Sequence, residues 1–314
     1  MSERKPYGSN FGKQTWWNGK LIPTEDATIH VTAHSLHYGL GAFEGIRAYK
    51  LQDGSVGIYR CYDHMTRFNQ SLHIAGLPIR YSVEELVTAC RDTARASGMG
   101  ACYLRPIAFL DAGPLGVAFN AETHPFTVAI VAADWGKYLG HTAAEQGAKI
   151  KISSFSRHHP NVAMTKAKLT GNYINSVFAK VEAKKLGFDE ALLLDTEGFV
   201  AEGSGENIFV VKRGKVITPS VETVLEGITR DTVVNILSDM GVPLTERRMT
   251  RDELYVADEI FFCGTAAEIT PISEIDNRKI GVGKPGSIST DIQKRYFDIV
   301  SDNNKKYSHW ITRL

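Results

Sequence analysis

Hydrophobic residues recur with two different periods in residues 1–133 of the chain. Residues 16–60 contain short apolar runs separated by glycine-containing turns, including an Asn-Gly pair at 18–19, which is typical of strands. Two segments with helical spacing follow, and the apolar residues on their faces are Met65, Phe68, Leu72 and Ala75, then Val83, Leu86, Val87, Cys90 and Ala94. Residues 101–110 and 126–132 are again strand-like. The pattern predicts a smaller N-terminal α+β domain with one sheet and two helices.

A glycine-containing stretch, DWGKYLGHTAAEQG (134–147), interrupts this pattern, and we predict that it is an interdomain loop. Beyond it, the strand candidates are residues 150–155, 192–194, 199–201, 207–211 and 216–218. Two helical faces consist of Ile174, Val177, Phe178 and Val181, then Val233, Ile236, Leu237 and Met240, the second predicted to point inward. Because strands and helices do not alternate regularly, we expect a larger C-terminal α+β domain at 148–314 rather than a Rossmann fold.

Composition argues against several classes of function. The 314 residues carry 36 Lys and Arg against 35 Asp and Glu, so no overall field attracts nucleic acid or an anionic membrane. No apolar run is long enough for a signal peptide at the start or for a membrane-spanning helix. Cys61, Cys90, Cys102 and Cys263 form no C-x-x-C pair, which is typical of reduced thiols in a cytoplasmic protein. We expect small molecules and copies of the same chain as partners.

Two lysines in the segment RHHPNVAMTKAKLTGNYIN (157–175) are the first candidates for chemistry. Lys166 and Lys168 stand shortly before a Gly-Asn turn and a predicted helix. Considered alone, such a pair is best explained as a solvated basic loop. Three further features of the chain change that interpretation.

The three features are turns that can hold charged groups of a ligand. In FVAEGSGENIFVV (199–211), a strand delivers Glu202 to a Gly-Ser-Gly turn, where a buried carboxylate needs a positive partner. In LEGITRDTVVNIL (225–237), Gly227 precedes a helix whose first amides, at Ile228 and Thr229, can bind phosphate. In FFCGTAAEITPI (261–272), the small residues of a Gly-Thr-Ala-Ala turn can hold a carboxylate or phosphate. Taken singly, the first feature is better explained as a plain hairpin with an exposed glutamate, and the second is also explained by a common helix N-terminus capped by Thr229. A plain β-turn or a helix start explains the third equally well.

Together the four features supply an amine, a carboxylate and two anion-binding turns. These are the groups that pyridoxal 5′-phosphate (PLP) requires: a lysine for the Schiff base, an acid beside the pyridine nitrogen, and helix amides for the phosphate.

Seven motifs follow one another along the chain. They are HSLHYGLGAFEGIRAY (34–49), YLRP (103–106), WGKYLG (135–140), KLTGNYINS (168–176), EGSGENIF (202–209), GITRD (227–231) and GTAAEITP (264–271). As an ordered group they resemble the branched-chain amino-acid aminotransferases of PLP fold type IV, from about residue 16 to about residue 279. The resemblance implies a two-domain α+β fold with the cofactor at the domain interface, and a homodimer or higher homo-oligomer.

The resemblance also implies roles for individual residues around the cofactor. Lys168 falls at the position of the Schiff-base lysine and Lys166 does not, although the chain has Leu169 and Thr170 where many relatives have small residues and a second glycine. Tyr173 would hydrogen-bond the phenolic oxygen of PLP. The remaining cofactor residues would be Glu202 at the pyridine nitrogen and, at the phosphate, Arg67 of HMTRF (64–68), the amides of Gly205, Ile228 and Thr229, and the hydroxyl of Thr265.

On the substrate side, the resemblance implies one subsite for the α-carboxylate and one for the side chain. Tyr103 and the amides of Thr265 and Ala266 would hold the α-carboxylate. Tyr38 and Arg105 would meet the side-chain carboxylate of glutamate, and an apolar pocket would be lined by Phe43, Trp135 and, from the partner subunit's loop, Val117. The implied reaction moves the amino group of leucine, isoleucine or valine to 2-oxoglutarate in two halves, with the freed Lys168 amine as the base.

Several alternatives stay open at this point. The same fold type includes D-amino-acid aminotransferases, R-selective amine transaminases and aminodeoxychorismate lyase, although HYGLGAFEGIRAY and YLRP favour the branched-chain group. A catalytically silent PLP-binding protein that buffers vitamin B6 would not need the substrate-side residues. A metal site at His34 and His37, with His158 and His159 further along, lacks a carboxylate-rich ligand set, and His37 is better explained as packing beside Tyr38.

Overall fold

The computed structural model describes residues 10–136 and 138–314. The strands are β1 (Gln14–Trp17), β2 (Lys20–Pro23), β3 (Gly41–Phe43), β4 (Ile46–Lys50), β5 (Val56–Tyr59), β6 (Cys102–Leu110), β7 (Phe126–Ala133), β8 (Ala148–Ile152), β9 (Glu190–Leu194), β10 (Val200–Gly203), β11 (Asn207–Lys212), β12 (Lys215–Thr218), β13 (Leu244–Glu246), β14 (Glu259–Gly264), β15 (Glu268–Ile275), β16 (Arg278–Lys279) and β17 (Ile311–Arg313). The helices are α1 (His34–Tyr38), α2 (Cys61–Ile74), α3 (Val83–Ser97), α4 (Gly140–Gln146), α5 (Tyr173–Lys185), α6 (Ile228–Asp239), α7 (Arg251–Tyr255) and α8 (Ser287–Val300). Short 3-10 helices occupy Thr24–Asp26 and Lys305–Trp310.

Two sequence expectations bear on the ends and the membrane. The predicted absence of a signal peptide concerns residues 1–17, of which residues 1–9 lie outside the described residues. Lys137 of the WGKYLG motif also lies outside them. Of the helices in the described part of the chain, none combines the length and the hydropathy that a membrane crossing needs.

The first compact unit contains Met1–Trp135, Ala167–Gly171 and Ile299–Leu314. Its sheet is antiparallel, in the order β17-β5-β4-β6-β7-β1-β2, with β3 also paired to β6. The apolar faces of α2 and α3 are buried in one core with the inner face of this sheet, through residues such as Met65, Phe68, Leu86 and Cys90. The two helices and two strands predicted for residues 61–132 are therefore confirmed.

Strand β6 places two functional candidates on one face of this sheet. Side chains alternate between the faces of a strand, so Tyr103 and Arg105, two residues apart, point to the same side. Antiparallel pairing fixes their register, because Tyr103 lies opposite Ala133 and Arg105 lies opposite Val131 on β7. The YLRP motif thus orients both side chains through the pleat of one strand.

The second compact unit contains Gly136–Lys166 and Asn172–Asp298. Its mixed sheet has the order β10-β9-β8-β15-β14-β11-β12-β13, with β16 paired to β15. The pairs β8–β9, β8–β15 and β12–β13 are parallel, and the others are antiparallel. Each unit has its own sheet, helices and core, which confirms the α+β class predicted from the hydrophobic pattern.

Helix α5 presents its apolar face to solvent in the single chain. The residues of this face are Ile174, Val177, Phe178 and Val181, which are 46% to 56% exposed. The opposite side of α5 is buried through the small residues Ser176, Ala179 and Ala183. Helix α6 instead buries most of its predicted face, because Val233, Ile236 and Leu237 are at most 1% exposed.

The domain boundaries predicted from the sequence, at 1–133 and 148–314, stay a prediction. Each compact unit is assembled from more than one stretch of the chain. Segment 167–171 joins the first unit because Leu169 bridges to Ala42 and the Thr170 N–H donates to the carbonyl of Gly41. The C-terminal residues join it because β17 pairs with β5, with Ile311 opposite Tyr59.

Helix α4 lies in the stretch predicted as a loop, where alanine, glutamate and glutamine favour helix.

Candidate active site

Lys168 has its backbone held on both sides within the first unit. Its N–H donates to Ser71 Oγ of α2 (3.0 Å), and its carbonyl accepts the N–H of Phe43 at the end of β3 (3.0 Å). Its Nζ lies 4.8 Å from the centroid of the Phe43 ring, within the range of a cation–π contact. Strand β3 and helix α2 therefore fix where the Lys168 amine emerges.

The neighbouring Lys166 has a different environment, in the second unit. Its Nζ forms an ion pair with Glu226 Oε1 (2.7 Å) and donates to the carbonyl of Val221. The side-chain nitrogen of Lys166 is thus already engaged by a carboxylate and a carbonyl. The two lysines of the motif thus have different partners: a carboxylate and a carbonyl around the Lys166 side chain, and the Phe43 ring beside the Lys168 side chain.

Aromatic rings surround Arg105 in the first unit. The guanidinium carbon lies 4.8 Å from the centroid of Phe43, 5.3 Å from that of Tyr103 and 5.4 Å from that of Trp135. Arg105 Nη2 also donates to the Tyr103 hydroxyl (3.1 Å), and the Tyr103 and Trp135 rings lie 4.6 Å apart. A Cβ on Gly45 would lie 1.8 Å from that hydroxyl, so Tyr103 requires glycine there.

This cluster has one polar atom without a partner. Arg105 Nε is buried and makes no hydrogen bond within the described residues. A buried guanidinium donor without an acceptor is costly, so the atom indicates a place where a ligand oxygen can bind. The structure thus brings together four residues that the sequence predicted to form the substrate pocket: Phe43, Tyr103, Arg105 and Trp135.

Tyr38 and Val117, two other predicted substrate residues, are exposed in the single chain. Tyr38 is 43% exposed and Val117 is 84% exposed. Tyr38 packs against His34, with ring centroids 4.6 Å apart, and against His37 at 6.1 Å, which confirms the packing predicted for His37. The described chain offers both side chains at its surface.

Arg67, the predicted phosphate ligand on α2, is held by a buried carboxylate. Its Nε donates to Glu44 Oε1 (2.6 Å) and its Nη2 donates to Glu44 Oε2 (2.9 Å). His64, one helical turn earlier, places Nδ1 2.7 Å from Glu44 Oε2. Burial alone would raise the pKa of Glu44, but the charges and hydrogen bonds of Arg67 and His64 hold that pKa well below its usual range.

The depressed pKa of Glu44 predicts an acid-dependent contribution to stability. A carboxyl whose pKa is lower in the folded state stabilises above its unfolded pKa of 4.5, and the contribution is lost as the pH falls. We expect the difference in free energy of unfolding between the cofactor-free wild type and Glu44→Gln to shrink between about pH 6 and about pH 3. Urea unfolding across this range checks it, and a difference that does not change with pH would contradict it.

Glu202, in β10 of the second unit, is buried against a positive partner. Glu202 Oε1 lies 2.7 Å from Arg157 Nε, and both side chains are 9% exposed. Its Oε2 accepts the N–H of Leu225 (3.3 Å) and the side-chain amide of Asn207 (3.5 Å). Arg157 Nη1 lies 3.2 Å from His158 Nδ1, and burial followed by the Arg157 charge lowers the pKa of His158 to about 4. A neutral His158 accepts this bond. Because Glu202 is buried and β10 pairs with β9 rather than with β11, the plain hairpin with an exposed glutamate is wrong.

The N-terminus of α6 has no side-chain cap. Gly227 is the N-cap residue, so the alternative of a cap by Thr229 is wrong, and Ile228 and Thr229 are both buried. A Cβ on Gly227 would lie 2.0 Å from Asn207 Oδ1, and Asn207 Nδ2 donates to the carbonyl of Leu225 (3.1 Å). Asn207 therefore fastens the segment that leads into this helix, and the positive end of the helix dipole can receive an anion.

Gly205, whose amide was predicted to bind phosphate, donates to a neighbouring carboxyl instead. Its N–H reaches Glu206 Oε2 (2.9 Å), and Glu206 is 3% exposed. Burial, followed by the negative charge of Glu190, raises the pKa of Glu206 well above its usual range. Phosphate binding by the Gly205 amide stays a prediction, and it would replace this hydrogen bond.

Tyr173, Thr265 and Ala266 occupy the predicted kinds of local structure. Tyr173 is the first residue of α5, after Asn172, whose side-chain amide donates to the carbonyl of Met164 (3.1 Å). Thr265 and Ala266 form the turn between β14 and β15, which closes where Gly264 pairs with Glu268. The alternative of a helix start at this turn is wrong.

Three residues of the clusters carry no predicted role: Glu44, His64 and Arg157. Glu44 stands in an apolar run (GAFEGI), and a charged residue in such a run signals a buried ion pair. His64 and Arg67 are three residues apart on one helix, which places both side chains on the same face. Among the described residues, no group of three or more His, Cys, Asp or Glu side chains could hold a metal ion.

The chain is similar in sequence and in fold to known aminotransferases. A family model described as amino-transferase class IV matches residues 41–275. The branched-chain-amino-acid aminotransferase of Pseudomonas aeruginosa is 47% identical over 297 residues, which cover 95% of this chain and 96% of that protein. The crystal structure of the Escherichia coli branched-chain amino acid aminotransferase aligns with a TM-score of 0.93 at 38% identity, over 96% of this chain and 99% of that one. The branched-chain amino acid aminotransferase of Thermobaculum terrenum in its PLP form aligns with a TM-score of 0.89 at 35% identity, over 97% of this chain and 99% of that one.

Proposed function

Because this chain belongs to the class-IV aminotransferase family, we propose that it transfers the amino group of leucine, isoleucine or valine to 2-oxoglutarate. The family and the fold class that the seven motifs predicted are thereby confirmed. The products are a branched-chain 2-oxo acid and L-glutamate. The choice of a branched-chain amino acid and 2-oxoglutarate as substrates rests on the three aromatic rings that surround the Arg105 guanidinium.

The cofactor is PLP, and the donor groups of the chain fit its chemistry. Lys168 supplies an amine, Glu202 a buried carboxylate, Arg67 a guanidinium, and α6 an N-terminus without a side-chain cap. When bound, the pyridine ring of PLP delocalises the negative charge that develops at Cα as its proton leaves. A carboxylate beside the ring nitrogen favours the protonated ring, and guanidinium and helix amides favour the phosphate.

In the first unit, we assign the chemical step to Lys168. Its amine would bind the cofactor covalently between turnovers and, once displaced by the substrate amine, would take up the Cα proton and deliver it to C4′ of the cofactor. The hydrogen bonds that hold its backbone to Ser71 and Phe43 would keep the amine in place during this transfer. The Arg67 side chain would bind the phosphate.

In the second unit, we assign the pyridine nitrogen to Glu202 and the phenolic oxygen to Tyr173. The ion pair with Arg157 would offset the cost of burying the Glu202 carboxylate. The amides of Ile228 and Thr229 would bind the phosphate together with the Gly205 amide and the Thr265 hydroxyl. The amides of Thr265 and Ala266 would hold the substrate α-carboxylate with Tyr103.

One pocket must accept both a leucine-like side chain and the carboxylate of glutamate. Phe43 and Trp135 would provide the apolar walls, which Val117 from a partner subunit's loop would complete, and Tyr38 would meet the side-chain carboxylate of glutamate beside Arg105. Arg105 has a buried Nε without a hydrogen-bond partner in the described chain, so it would pair with the glutamate carboxylate. When an apolar side chain is bound, the aromatic faces would stabilise the same guanidinium through cation–π contacts.

Replacing Arg105 by leucine should separate the two half-reactions. The loss of a charge-assisted contact worth about 1.5–3 kcal/mol should slow the reaction with 2-oxoglutarate by about 10- to 150-fold. The reaction with L-leucine should change far less, because that substrate brings no side-chain carboxylate. Single-turnover kinetics of each half-reaction measures both rates, with Arg105→Lys as a control that keeps the charge. An equal loss in both half-reactions would show that Arg105 serves the α-carboxylate or the fold instead.

We also propose that the protein works as a homodimer or higher homo-oligomer in the cytoplasm. The exposed apolar face of α5 and the exposed Val117 support self-association, since such surfaces are usually covered by a partner. The four cysteines are free and buried, which suits a reducing compartment.

A further inference from the structure

We propose that Glu44 is the positioning residue of the phosphate site, because it holds the Arg67 guanidinium in one orientation through two of its nitrogens. This inference rests on the proposed function, which gives Arg67 the cofactor phosphate as its ligand. Glu44 would not itself touch the cofactor. It would act through Arg67, and His64 would support it from the same helix.

The contact between Glu44 and Arg67 fixes direction as well as charge. Nε and Nη2 donate to the two different carboxylate oxygens, at 2.6 Å and 2.9 Å, so the planes of the two groups are held together. The Glu44 side chain is fully buried, and that of Arg67 is only 12% exposed. Arginine side chains have several rotatable bonds, and this contact removes that freedom before a ligand binds.

His64 holds the carboxylate on its other side. An ionised carboxylate only accepts hydrogen bonds, so His64 Nδ1, 2.7 Å from Oε2, carries the proton. Burial lowers the pKa of His64, and the positive charges of Arg67 and Lys168 lower it further, against the opposing effect of Glu44. A neutral His64 therefore orients Glu44 without competing with Arg67 for its charge.

The backbone on both sides of Glu44 ties this network to the other candidate residues. The Glu44 N–H donates to the carbonyl of Pro106 (2.8 Å), and the Gly45 N–H donates to Glu44 Oε2 (3.2 Å). Glu44 follows Phe43, which contacts Lys168, and precedes Gly45, which makes room for Tyr103. The carboxylate is thus fixed by the corner between β3 and β4.

Stability alone does not explain why a charge is buried here. Apolar side chains of similar volume usually stabilise a core as well as or better than a buried ion pair does. A guanidinium that must meet a phosphate needs a counter-charge that keeps it oriented, and Glu44 supplies one. Glu44 therefore has a positioning role that an apolar residue could not fill.

The test compares binding of PLP with binding of pyridoxal, which lacks the phosphate, to cofactor-free protein. Glu44→Gln removes the charge and one acceptor, and should weaken PLP binding about 10- to 100-fold. Pyridoxal binding should change by less than about threefold, since the phosphate site is not used. In an Arg67→Met background, Glu44→Gln should have little further effect on PLP binding, because the residue through which it acts is gone.

Two further variants keep the test informative if Glu44→Gln does not fold. Glu44→Asp keeps the charge but shortens the side chain by one methylene, and His64→Gln removes only the supporting imidazole. Both should weaken PLP more than pyridoxal, with smaller effects than Glu44→Gln. Equal losses for PLP and pyridoxal would show a general structural role and overturn the proposal.

Different results would contradict the assignment of Arg67 to the phosphate and the positioning role of Glu44. If Arg67→Met weakens PLP binding and Glu44→Gln does not, the phosphate assignment stands and the positioning role is wrong. If the effects of Glu44→Gln and Arg67→Met simply add, Glu44 acts independently of Arg67 and the proposal is also wrong. If Arg67→Met leaves PLP binding unchanged, the assignment of Arg67 to the phosphate fails, and with it this inference, whereas the proposed transamination does not depend on that result.

Discussion

Replacing Lys168 by alanine is expected to lower transamination turnover by several orders of magnitude. The variant loses both the amine that binds PLP covalently and the base that moves the Cα proton, and base catalysis alone contributes roughly 10²- to 10⁴-fold. Lys166→Ala is the matched control, because the Lys166 ammonium pairs with Glu226 and takes no part in the proposed chemistry. It should keep turnover close to that of the wild type.

Chemical mapping distinguishes the same two lysines without relying on activity. Borohydride reduction of the PLP-loaded wild type, followed by peptide mapping, should find the phosphopyridoxyl group on Lys168. Modification of Lys166 instead would overturn both the motif alignment and the assignment of the base. The two lysines are only two residues apart, so the digest must separate position 166 from position 168 by fragmentation.

Glu202→Gln should slow Cα deprotonation sharply, by roughly 10²- to 10³-fold, while leaving the fold and part of the cofactor binding intact. The volume barely changes, but a neutral amide no longer favours the protonated pyridine nitrogen. The Arg157 guanidinium, 2.7 Å from Glu202 Oε1, would then face a neutral group inside the protein. Single-turnover measurement of the L-leucine half-reaction gives the deprotonation rate.

The same turn offers a matched control for this substitution. Glu206 is as buried as Glu202, but burial and the negative charge of Glu190 raise its pKa well above its usual range, which favours the neutral acid. Glu206→Gln therefore changes the charge of the turn less than Glu202→Gln does, and it should slow the reaction far less. Near wild-type rates in Glu202→Gln would mean that Glu202 is structural, and equal losses in both would show that the turn itself was disturbed.

Periodicity predicted the elements whose stability depends on local patterns. Helices α2 and α3 could be predicted because their apolar residues recur at helical spacing and face one core, whereas the five-residue α1 lies within residues predicted as strands. Hydrophobic periodicity could not predict that segment 167–171 and β17 belong to the first unit. Leu169 reaches that unit by bridging to Ala42, and Ile311 by pairing with Tyr59, contacts that span more than a hundred residues.

The residues of the candidate site were likewise predictable only where their partners lie nearby in sequence. The lysine and the turns were recognisable because each consists of residues close together in sequence. Glu44 and Arg157 were not assigned, because their partners stand 23 and 45 positions away. A charged residue within an apolar run signalled that a partner must exist, but only the fold identifies it. The bond from Gly205 to Glu206 depends on side-chain burial, which sequence spacing does not reveal.

The most direct test of the central claim follows the cofactor spectrum of the PLP-loaded protein when single substrates are added. L-leucine, L-isoleucine or L-valine should convert the bound PLP to the pyridoxamine form with release of the 2-oxo acid, and 2-oxoglutarate should restore it. D-alanine or an R-amine should react much more slowly than L-leucine. Faster conversion by D-alanine or an R-amine would contradict the branched-chain function while leaving PLP binding in place, and no conversion by any of them would contradict transamination altogether.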